Sequence, residues 1–144
     1  MRILIAEDDV SCRKILMHYL LPFGSCDAVE DGQQATDTFR RSLEENNPYT
    51  LVCLDIYMPE MDGIQARKLI RQMEKRMGPV VYRCRIVMIT AVSDTRQIID
   101  AYSDECDGYI IKPFDRHRLA EHLKLMGLIE QPETPLAASP PGGT

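Results

Sequence analysis

The sequence lacks the features that mark membrane, secreted and dinucleotide-binding proteins. No apolar run approaches the roughly 20 residues that a membrane span needs, and no charged start followed by an apolar segment marks a signal peptide. We therefore expect a cytoplasmic protein that does not act on a membrane. No G-x-G-x-x-G pattern follows the first apolar segment, which argues against a nucleotide-binding Rossmann domain.

Cysteine and histidine are present but lack the spacing of a disulfide framework or a zinc site. The five cysteines are an odd number, they are scattered, and none forms a C-x-x-C pair. The three histidines also lack ligand spacing. Both residue types are therefore interpreted as ordinary core or helix residues.

Length, composition and charge limit the organisation of the chain. Its 144 residues, 44% of them hydrophobic, are enough for one core and too few for a second. The net charge of −5, from 22 acidic against 17 basic residues, argues against direct binding to nucleic acid. From Glu130 onward the chain is rich in proline and has little to bury. We expect one domain over residues 1–127 and a flexible tail or linker over residues 128–144.

Apolar segments and helical patterns alternate five times along the chain. Apolar runs predict strands at Arg2–Ala6, Cys26–Val29, Leu51–Leu54, Ile86–Ile89 and Gly108–Ile111. Helical spacing predicts five helices, with inward faces at Cys12, Ile15, Leu16, Tyr19 and Leu20; at Ala35, Phe39 and Leu43; at Ala66, Leu69, Ile70, Met73 and Met77; at Ile98, Ile99 and Tyr102; and at Leu119, Leu123 and Met126. Such alternation is typical of an α/β fold in which right-handed crossovers cover both faces of a parallel sheet.

Polar side chains stand at the carboxyl ends of four predicted strands. They are Glu7, Asp8 and Asp9 after the first strand, Asp55 after the third, Thr90 after the fourth and Lys112 after the fifth. Each has a plain structural explanation by itself, since Asp8 or Asp9 could cap a helix and Thr90 could bond a neighbouring carbonyl. Together they predict a site, because ligands of open parallel sheets bind at this edge and clustered carboxylates repel one another unless a cation offsets them.

These residue types favour phosphoryl chemistry at a bound cation. Clustered carboxylates are hard oxygen ligands that suit Mg²⁺, or Mn²⁺. An ionised aspartate beside such a metal, here Asp55, can act as a nucleophile and form an aspartyl phosphate. Lys112 offers a mobile positive charge for the phosphoryl oxygens, and Thr90 offers a hydroxyl donor. Phosphoryl transfer needs little beyond positioning and charge neutralisation, so this small set of residues suffices.

Four short motifs occur in a fixed order at the predicted strand ends. They are ILIAEDD in the first strand, DIYMPEMDG from Asp55, ITA at Ile89–Ala91 and YIIKPF at Tyr109–Phe114. In this order and spacing, over about residues 1–127, the set resembles the receiver domain of two-component response regulators. The resemblance implies a flavodoxin/CheY-like (βα)5 fold, a doubly wound sheet of five parallel strands in the order 2-1-3-4-5.

The resemblance also implies a role for the acidic residues. Asp55 would accept a phosphoryl group from a histidine kinase or a histidine phosphotransfer protein. Asp8 would bind the metal directly, Glu7 would act through water, and Asp9 would be a peripheral acid. Tyr57 would contribute its main-chain carbonyl to the metal. The chain would then be a signalling phosphoacceptor rather than an enzyme that turns over a substrate.

A switch and a readout surface follow from the same resemblance. Lys112 would pair with the phosphoryl group, Thr90 would move to hydrogen-bond it, and Tyr109 would follow into the vacated space. The predicted fourth helix, fifth strand and fifth helix would then bind a downstream target or a fused output domain, or form a homodimer. Gly63 would shape the loop beyond the acceptor, and Pro113 would follow a cis peptide bond.

Two features depart from the family pattern. The segment Arg71–Arg85 is longer and more basic than usual, and we interpret it as a solvated loop or, as a second possibility, a partner contact. Tyr57 and Val92 flank the acceptor with bulky side chains that cannot orient an attacking water. We therefore expect a comparatively long-lived phosphorylated state.

Two other functions fit parts of the sequence. A phosphatase of the haloacid dehalogenase type also uses an aspartate after a strand, but it needs a second aspartate where this chain has Tyr57. A phosphorylation-independent scaffold with a receiver fold would not need the complete set of acids, Thr90 and Lys112. No output domain is recognisable, so we expect either a stand-alone receiver or the receiver portion of a longer protein.

Overall fold

A computed structural model describes residues 1–78, 83–91 and 106–130 of the chain. Within these ranges the strands are β1 (Arg2–Ala6), β2 (Ser25–Val29), β3 (Leu51–Asp55), β4 (Arg85–Ala91) and β5 (Gly108–Lys112). The helices are α1 (Val10–Leu20), which continues into a 3₁₀ turn at Leu21–Phe23, α2 (Gly32–Glu44), α3 (Gly63–Met77) and α4 (Arg116–Leu125). All the predicted strands are confirmed, as are the predicted helices except the one around Ile98, Ile99 and Tyr102, which lies outside the described residues.

The five strands form one parallel sheet in the order β2-β1-β3-β4-β5. This order confirms the predicted fold. From β1 the chain first crosses to β2 at one edge and then returns to β3 on the other side of β1. The strand order therefore reverses between β1 and β3, and the carboxyl ends of these two strands flank the crevice where such folds bind ligands.

The central strands are buried on both faces, as expected of a parallel sheet. All five residues of β3 and four of the five in β1 are buried. One apolar cluster joins the sheet to α2 and α3, with Leu4, Ala6, Val52, Leu54, Phe39, Ala66 and Ile70 among its members. Close packing of this kind allows little movement of the strands, so Asp55 at the end of β3 stands on a rigid support.

The chain divides into two compact units, Met1–Phe114 and a second unit that begins at Asp115. The first unit holds the whole sheet with α1, α2 and α3. In the second unit, Leu119 and Leu123 of α4 are buried, as predicted. None of the described helices is both long and apolar enough to cross a bilayer. The part of the predicted tail after residue 130 lies outside the described residues.

An aspartate side chain caps the N-terminus of every described α-helix. In each case a carboxylate oxygen accepts a hydrogen bond of 2.8 Å from an amide of the first turn, and the capping residues are Asp9, Asp31, Asp62 and Asp115. These bonds satisfy amides that would otherwise lack a partner. Of the two acids considered for the cap of α1, Asp9 is therefore the one that fills this role.

Two residues predicted on inward helix faces are exposed. Ile15 of α1 is 47% exposed and Met77 of α3 is 50% exposed. Only Leu16 and Leu20 of α1 are buried, and Ile15 lies about 100° around the helix from Leu16. The buried face of α1 is therefore narrower than the set of apolar residues predicted to face inward. Met77 is the last residue of α3, and the last buried residue of that helix is Glu74.

Two predictions overlap at Arg71–Met77, and the structure confirms the helix: these residues are the last turns of α3, so the prediction of a solvated loop over Arg71–Arg85 is wrong for its first half. Residues 79–82 of that segment lie outside the described residues. Arg71 is only 2% exposed. Its guanidinium pairs with Glu74 at 2.7 Å and with Asp107 at 2.9 Å, and it donates a hydrogen bond to the Cys84 carbonyl at 2.9 Å. The Cys84 amide in turn donates to Glu74 at 2.7 Å. Paired charges therefore replace water around this buried arginine and tie α3 to the residues before β4 and β5.

Candidate functional site

The parallel sheet brings the predicted site residues to one edge. Glu7 follows the last residue of β1, Asp55 and Lys112 end β3 and β5, and Thr90 is the second-last residue of β4. In-register pairing of the strands aligns these ends. Residues that are far apart in the chain therefore surround one crevice.

Three carboxylates converge in this crevice. One carboxylate oxygen from each of Glu7, Asp8 and Asp55 lies within 4.8 Å of the other two. Glu7 is fully buried and Asp55 is 7% exposed, whereas Asp8 is exposed at the mouth of the cluster. Asp9 is not a member, because its side chain caps α1.

Lys112 reaches into the cluster from β5. Its Nζ atom lies 2.9 Å from Glu7 Oε1 and 3.6 Å from Asp55 Oδ1. One ammonium offsets only part of the charge of three carboxylates. The cluster therefore keeps a surplus of negative charge when all of its acids are ionised.

Burial and the neighbouring charges change the acidity of the cluster residues. Burial, together with the negative charge of Glu7, raises the pKa of Asp55 to about 7, although Lys112 acts in the opposite direction. Burial also acts to raise the pKa of Glu7, but Lys112 and the Asp9 amide outweigh it, and the pKa of Glu7 is lowered. Burial acts to lower the pKa of Lys112, and both carboxylates together raise it. Without a further cation, Asp55 therefore holds a proton more tightly than Glu7 does.

The residues of the cluster fit a hard divalent cation. Three convergent carboxylates are the ligand type that Mg²⁺ and Mn²⁺ prefer. Glu7 Oε1 is buried and lies 2.9 Å from the Lys112 ammonium, and a carboxylate oxygen can accept more than one hydrogen bond. This oxygen can therefore accept a hydrogen bond from a water of hydration. The role predicted for the Tyr57 carbonyl stays a prediction.

The loop that carries the acids is held by bonds from β2 and α1. The Glu7 amide donates to the Val29 carbonyl at 3.1 Å, and the Asp9 amide donates to Glu7 Oε2 at 3.1 Å. From α1, Arg13 Nη1 donates to the Glu7 carbonyl at 2.8 Å and lies 3.5 Å from the Asp8 carbonyl. The main chain between β1 and α1 is thus fixed on both sides.

The chain beyond Asp55 turns tightly into α3. The Ile56 amide donates to the Ile89 carbonyl at 3.0 Å, and the Gly63 amide donates to the Ile56 carbonyl at 2.7 Å. A Cβ atom on Gly63 would overlap the Asp55 carbonyl oxygen, so only glycine allows this approach. On the other side of the site, the peptide bond between Lys112 and Pro113 is cis, as predicted.

The two predicted switch residues lie on neighbouring strands. Thr90 is 1% exposed, and its hydroxyl donates a long hydrogen bond of 3.4 Å to the Ala91 carbonyl. Tyr109 pairs with Met88, two residues before Thr90, so both predicted switch residues are on the same face of the sheet. Tyr109 is partly buried against the apolar cluster. Their roles as a switch stay predictions.

Sequence reasoning gave no role in the site to Cys12 or Arg13. The Cys12 thiol lies beside Glu7, and burial together with that carboxylate raises its pKa to about 12. Arg13 bonds the loop before its own helix. The sequence places both residues one turn into α1, but helical spacing alone does not show that a side chain turns back toward the preceding loop.

Comparison with known proteins identifies relatives over most of the chain. The response regulator receiver domain model matches residues 3–124. The chemotaxis protein CheY of Bacillus subtilis is 34% identical over 122 residues, which cover 83% of this chain and 92% of that protein. The transcriptional regulatory protein ResD of the same organism is 29% identical over 125 residues, which cover 87% of this chain and 47% of ResD. The chain thus spans nearly the full length of CheY and about half of ResD.

Solved structures show the same architecture. The CheX–CheY–BeF₃–Mg²⁺ complex from Borrelia burgdorferi contains a chain that matches with a TM-score of 0.74 and 25% identity. The match covers 90% of this chain and 90% of that chain. The residues matched by the receiver domain model, 3–124, include the ends of β1, β3 and β5 that carry the acidic cluster and Lys112.

Proposed function

The chain belongs to the response regulator receiver domain family, and we propose that it accepts a phosphoryl group on Asp55 from a histidine kinase or a histidine phosphotransfer protein. The observation that carries this proposal is the convergence of Asp55 with Glu7 and Asp8 beside the ammonium of Lys112. Asp55 lies at the ligand-binding edge of the sheet. Its cluster carries excess negative charge, so a cation is needed there, and phosphoryl transfer also requires such charge neutralisation.

Asp55 would act as the nucleophile. A carboxylate oxygen of Asp55 attacks phosphorus, and an O–P bond forms while the P–N bond to the donor imidazole breaks. The imidazole nitrogen keeps the electron pair of the broken bond and takes a proton from solvent. Lys112, already 3.6 Å from Asp55, is placed to pair with the oxygens of the transferred group.

The acids would hold the cofactor that this transfer requires. Asp8 and Asp55 would bind Mg²⁺ or Mn²⁺ directly, Glu7 would act through water, the Tyr57 carbonyl would complete the set and Asp9 would remain peripheral. When bound, the ion supplies positive charge to the phosphoryl oxygens. The Borrelia burgdorferi relative was solved with Mg²⁺ and BeF₃, which supports the same requirement here.

Phosphorylation would be read through Thr90 and Tyr109. A phosphoryl group adds about −1.5 to −2 charges and three acceptor oxygens, and Thr90 would leave its long bond to the Ala91 carbonyl to donate to one of them. Tyr109, on the same face of the sheet, would follow. Phosphorylation can shift the equilibrium between the inactive and the active arrangement only by the free energy with which the phosphoryl group stabilises the active one.

The wider assignment follows from this role. The protein would act in the cytoplasm as a signalling phosphoacceptor, not as an enzyme with released products, and would contact neither nucleic acid nor membrane directly. Its output would be a protein target, a fused output domain or a homodimer, formed through β5, α4 and the helix predicted in the part of the chain outside the described residues. Residues 1–127 would form the receiver and residues 128–144 a tail or linker.

The test is the intact mass of the protein after incubation with acetyl phosphate, with and without Mg²⁺. We expect the wild type to gain one phosphoryl group only with Mg²⁺, and Asp55→Asn to gain none. Asp37→Asn is the matched control, because Asp37 is an aspartate that pairs with Arg40 on the surface of α2; it should be phosphorylated like the wild type. Absence of phosphorylation in the wild type under every condition would contradict the proposal and favour a scaffold.

A further inference from the structure

We propose that Arg13 is a positioning residue of the phosphoacceptor site, which fixes the main chain of Glu7 and Asp8 so that their carboxylates converge on Asp55. The inference rests on the proposed function, because it assigns Arg13 a part in forming the cation site of that reaction. It adds a residue of α1 to a site otherwise built from strand ends and the loops that follow them.

The first support is the contact with Glu7. Glu7 is fully buried and follows the end of β1, where the pairing of the sheet stops. A buried carbonyl needs a donor, and Arg13 Nη1 supplies it at 2.8 Å. The Glu7 amide is bonded separately to the Val29 carbonyl, so Arg13 completes the main-chain bonding of this residue.

The second support is the exposure of Asp8. The Asp8 side chain is at the surface, so packing does not hold it in place, yet one of its oxygens lies within 4.8 Å of those of Glu7 and Asp55. The main chain fixes where the side chain of Asp8 starts and therefore which positions its carboxylate can reach. Arg13 lies 3.5 Å from the Asp8 carbonyl as well as bonding that of Glu7, and it thus restrains two successive peptide units.

The chemistry of arginine suits this role. A guanidinium presents several N–H donors in a planar fork. A lysine could keep the charge and bond one carbonyl, but its single ammonium is a point donor on a flexible stem. Replacement by lysine should therefore preserve part of the effect, and replacement by an apolar residue should remove it.

The experiment measures the affinity of the metal-free protein for Mn²⁺, followed by the electron paramagnetic resonance of the free ion. Loss of a residue that orients metal ligands typically weakens metal binding by about 10-fold to 100-fold, and we expect a loss of this size for Arg13→Met. Arg13→Lys should lie between Arg13→Met and the wild type. Lys14→Met removes the same charge from the next, exposed position of α1 and should change the affinity less than about twofold.

A second measurement does not depend on metal. Hydrogen exchange of the Asp8 and Asp9 amides in the metal-free protein should be faster in Arg13→Met than in Lys14→Met, because the loop loses its bond to α1. Thermal unfolding of each variant checks that the fold is intact. If Arg13→Met does not fold, Arg13→Gln and Arg13→Lys are compared with Lys14→Met instead. Glutamine offers a donor on a shorter side chain, and lysine offers a single ammonium.

The outcomes separate this inference from the proposed function. Equal Mn²⁺ affinity and equal exchange in Arg13→Met and Lys14→Met would overturn the positioning role, even if Asp55 is phosphorylated. A wild type that does not bind Mn²⁺ would overturn it too. Mn²⁺ binding that depends on Arg13, in a protein that acetyl phosphate never modifies, would support the positioning role and contradict the phosphoacceptor function alone.

Discussion

Asp55 ionises less readily than an ordinary aspartate, because burial and the charge of Glu7 raise its pKa from 3.8 to about 7. The folded state thus holds this proton more tightly than the unfolded state. The stability that the proton contributes is complete below about pH 4 and is lost as the pH rises through about 7. Deprotonation without a cation therefore acts against folding.

Because deprotonation of Asp55 acts against folding, we make a prediction for Asp55→Asn, whose side chain cannot ionise. In EDTA at about pH 8 the variant should unfold at higher urea concentration than the wild type, and the difference should shrink at about pH 5. Asp37→Asn, which removes a half-exposed acid of α2 outside the cluster, should show no such pH dependence. An equal difference at both pH values would contradict the assignment of the raised pKa to Asp55.

A second prediction at the residue scale concerns Tyr57 and the lifetime of the phosphorylated state. This residue is 50% exposed, two positions after Asp55, and its phenol lacks the amide group with which asparagine can orient a water. Replacement of Tyr57 by Asn should therefore speed loss of the phosphoryl group by about tenfold, equivalent to about 1.4 kcal/mol in the barrier. Tyr57→Phe keeps the ring and should leave the rate unchanged. Loss of the group is followed by intact mass after removal of acetyl phosphate, and an unchanged rate in Tyr57→Asn would reject the idea.

At the scale of elements, the junction of β3 with α3 places the acceptor. Asp62 caps α3, and the next residue, Gly63, approaches the Asp55 carbonyl so closely that a Cβ atom would overlap it. The helix therefore begins directly against the strand that carries the acceptor. A change at Gly63 must move either the helix or Asp55.

We expect Gly63→Ala to lower the free energy of unfolding by about 1–3 kcal/mol, the usual cost of overpacking, and to slow phosphorylation of the protein that remains folded. The control is Gln65→Ala, which shortens an exposed side chain in the same turn and should change neither quantity. Urea unfolding and the acetyl phosphate assay measure the two effects. A Gly63→Ala protein that matches the control in both would show that the junction is adaptable.

At the scale of the molecule, the network around Arg71 connects α3 to the residues before β4 and β5. Both acids of the network depend on the same guanidinium, and Glu74 is only 7% exposed. Removal of one partner of a buried ion pair leaves an uncompensated charge and typically costs about 3–5 kcal/mol. This is a large fraction of the stability of a single domain.

Arg71→Met should therefore unfold at a clearly lower urea concentration than the wild type, by about 3–5 kcal/mol. Arg76→Met removes an exposed arginine five residues further along α3, and its effect should stay within about 0.5 kcal/mol. Similar stability of the two variants would show that water replaces the lost guanidinium. In that case the network would contribute little to the fold.

Much of the fold was predictable because its signals are local. The run before Asp55 is apolar on both faces, so it indicates a buried strand without knowledge of its neighbours. The helices begin at aspartates whose caps involve residues only three positions away. The exposure of Ile15 was not predictable, because the helical spacing of apolar residues does not show how wide a face of the helix is buried.

The sequence by itself determined the order of the elements and which residues stand at the strand ends, since periodicity and turn chemistry act within a few residues. Only the tertiary structure decided how these residues affect one another. The raised pKa of Asp55 needs Glu7 beside it in a buried site, and the burial of Arg71 needs Asp107, the residue just before β5. The bond from Arg13 needs a loop of fixed shape. Desolvation and charge pairing depend on distances across the fold, and no local pattern in the chain records those distances.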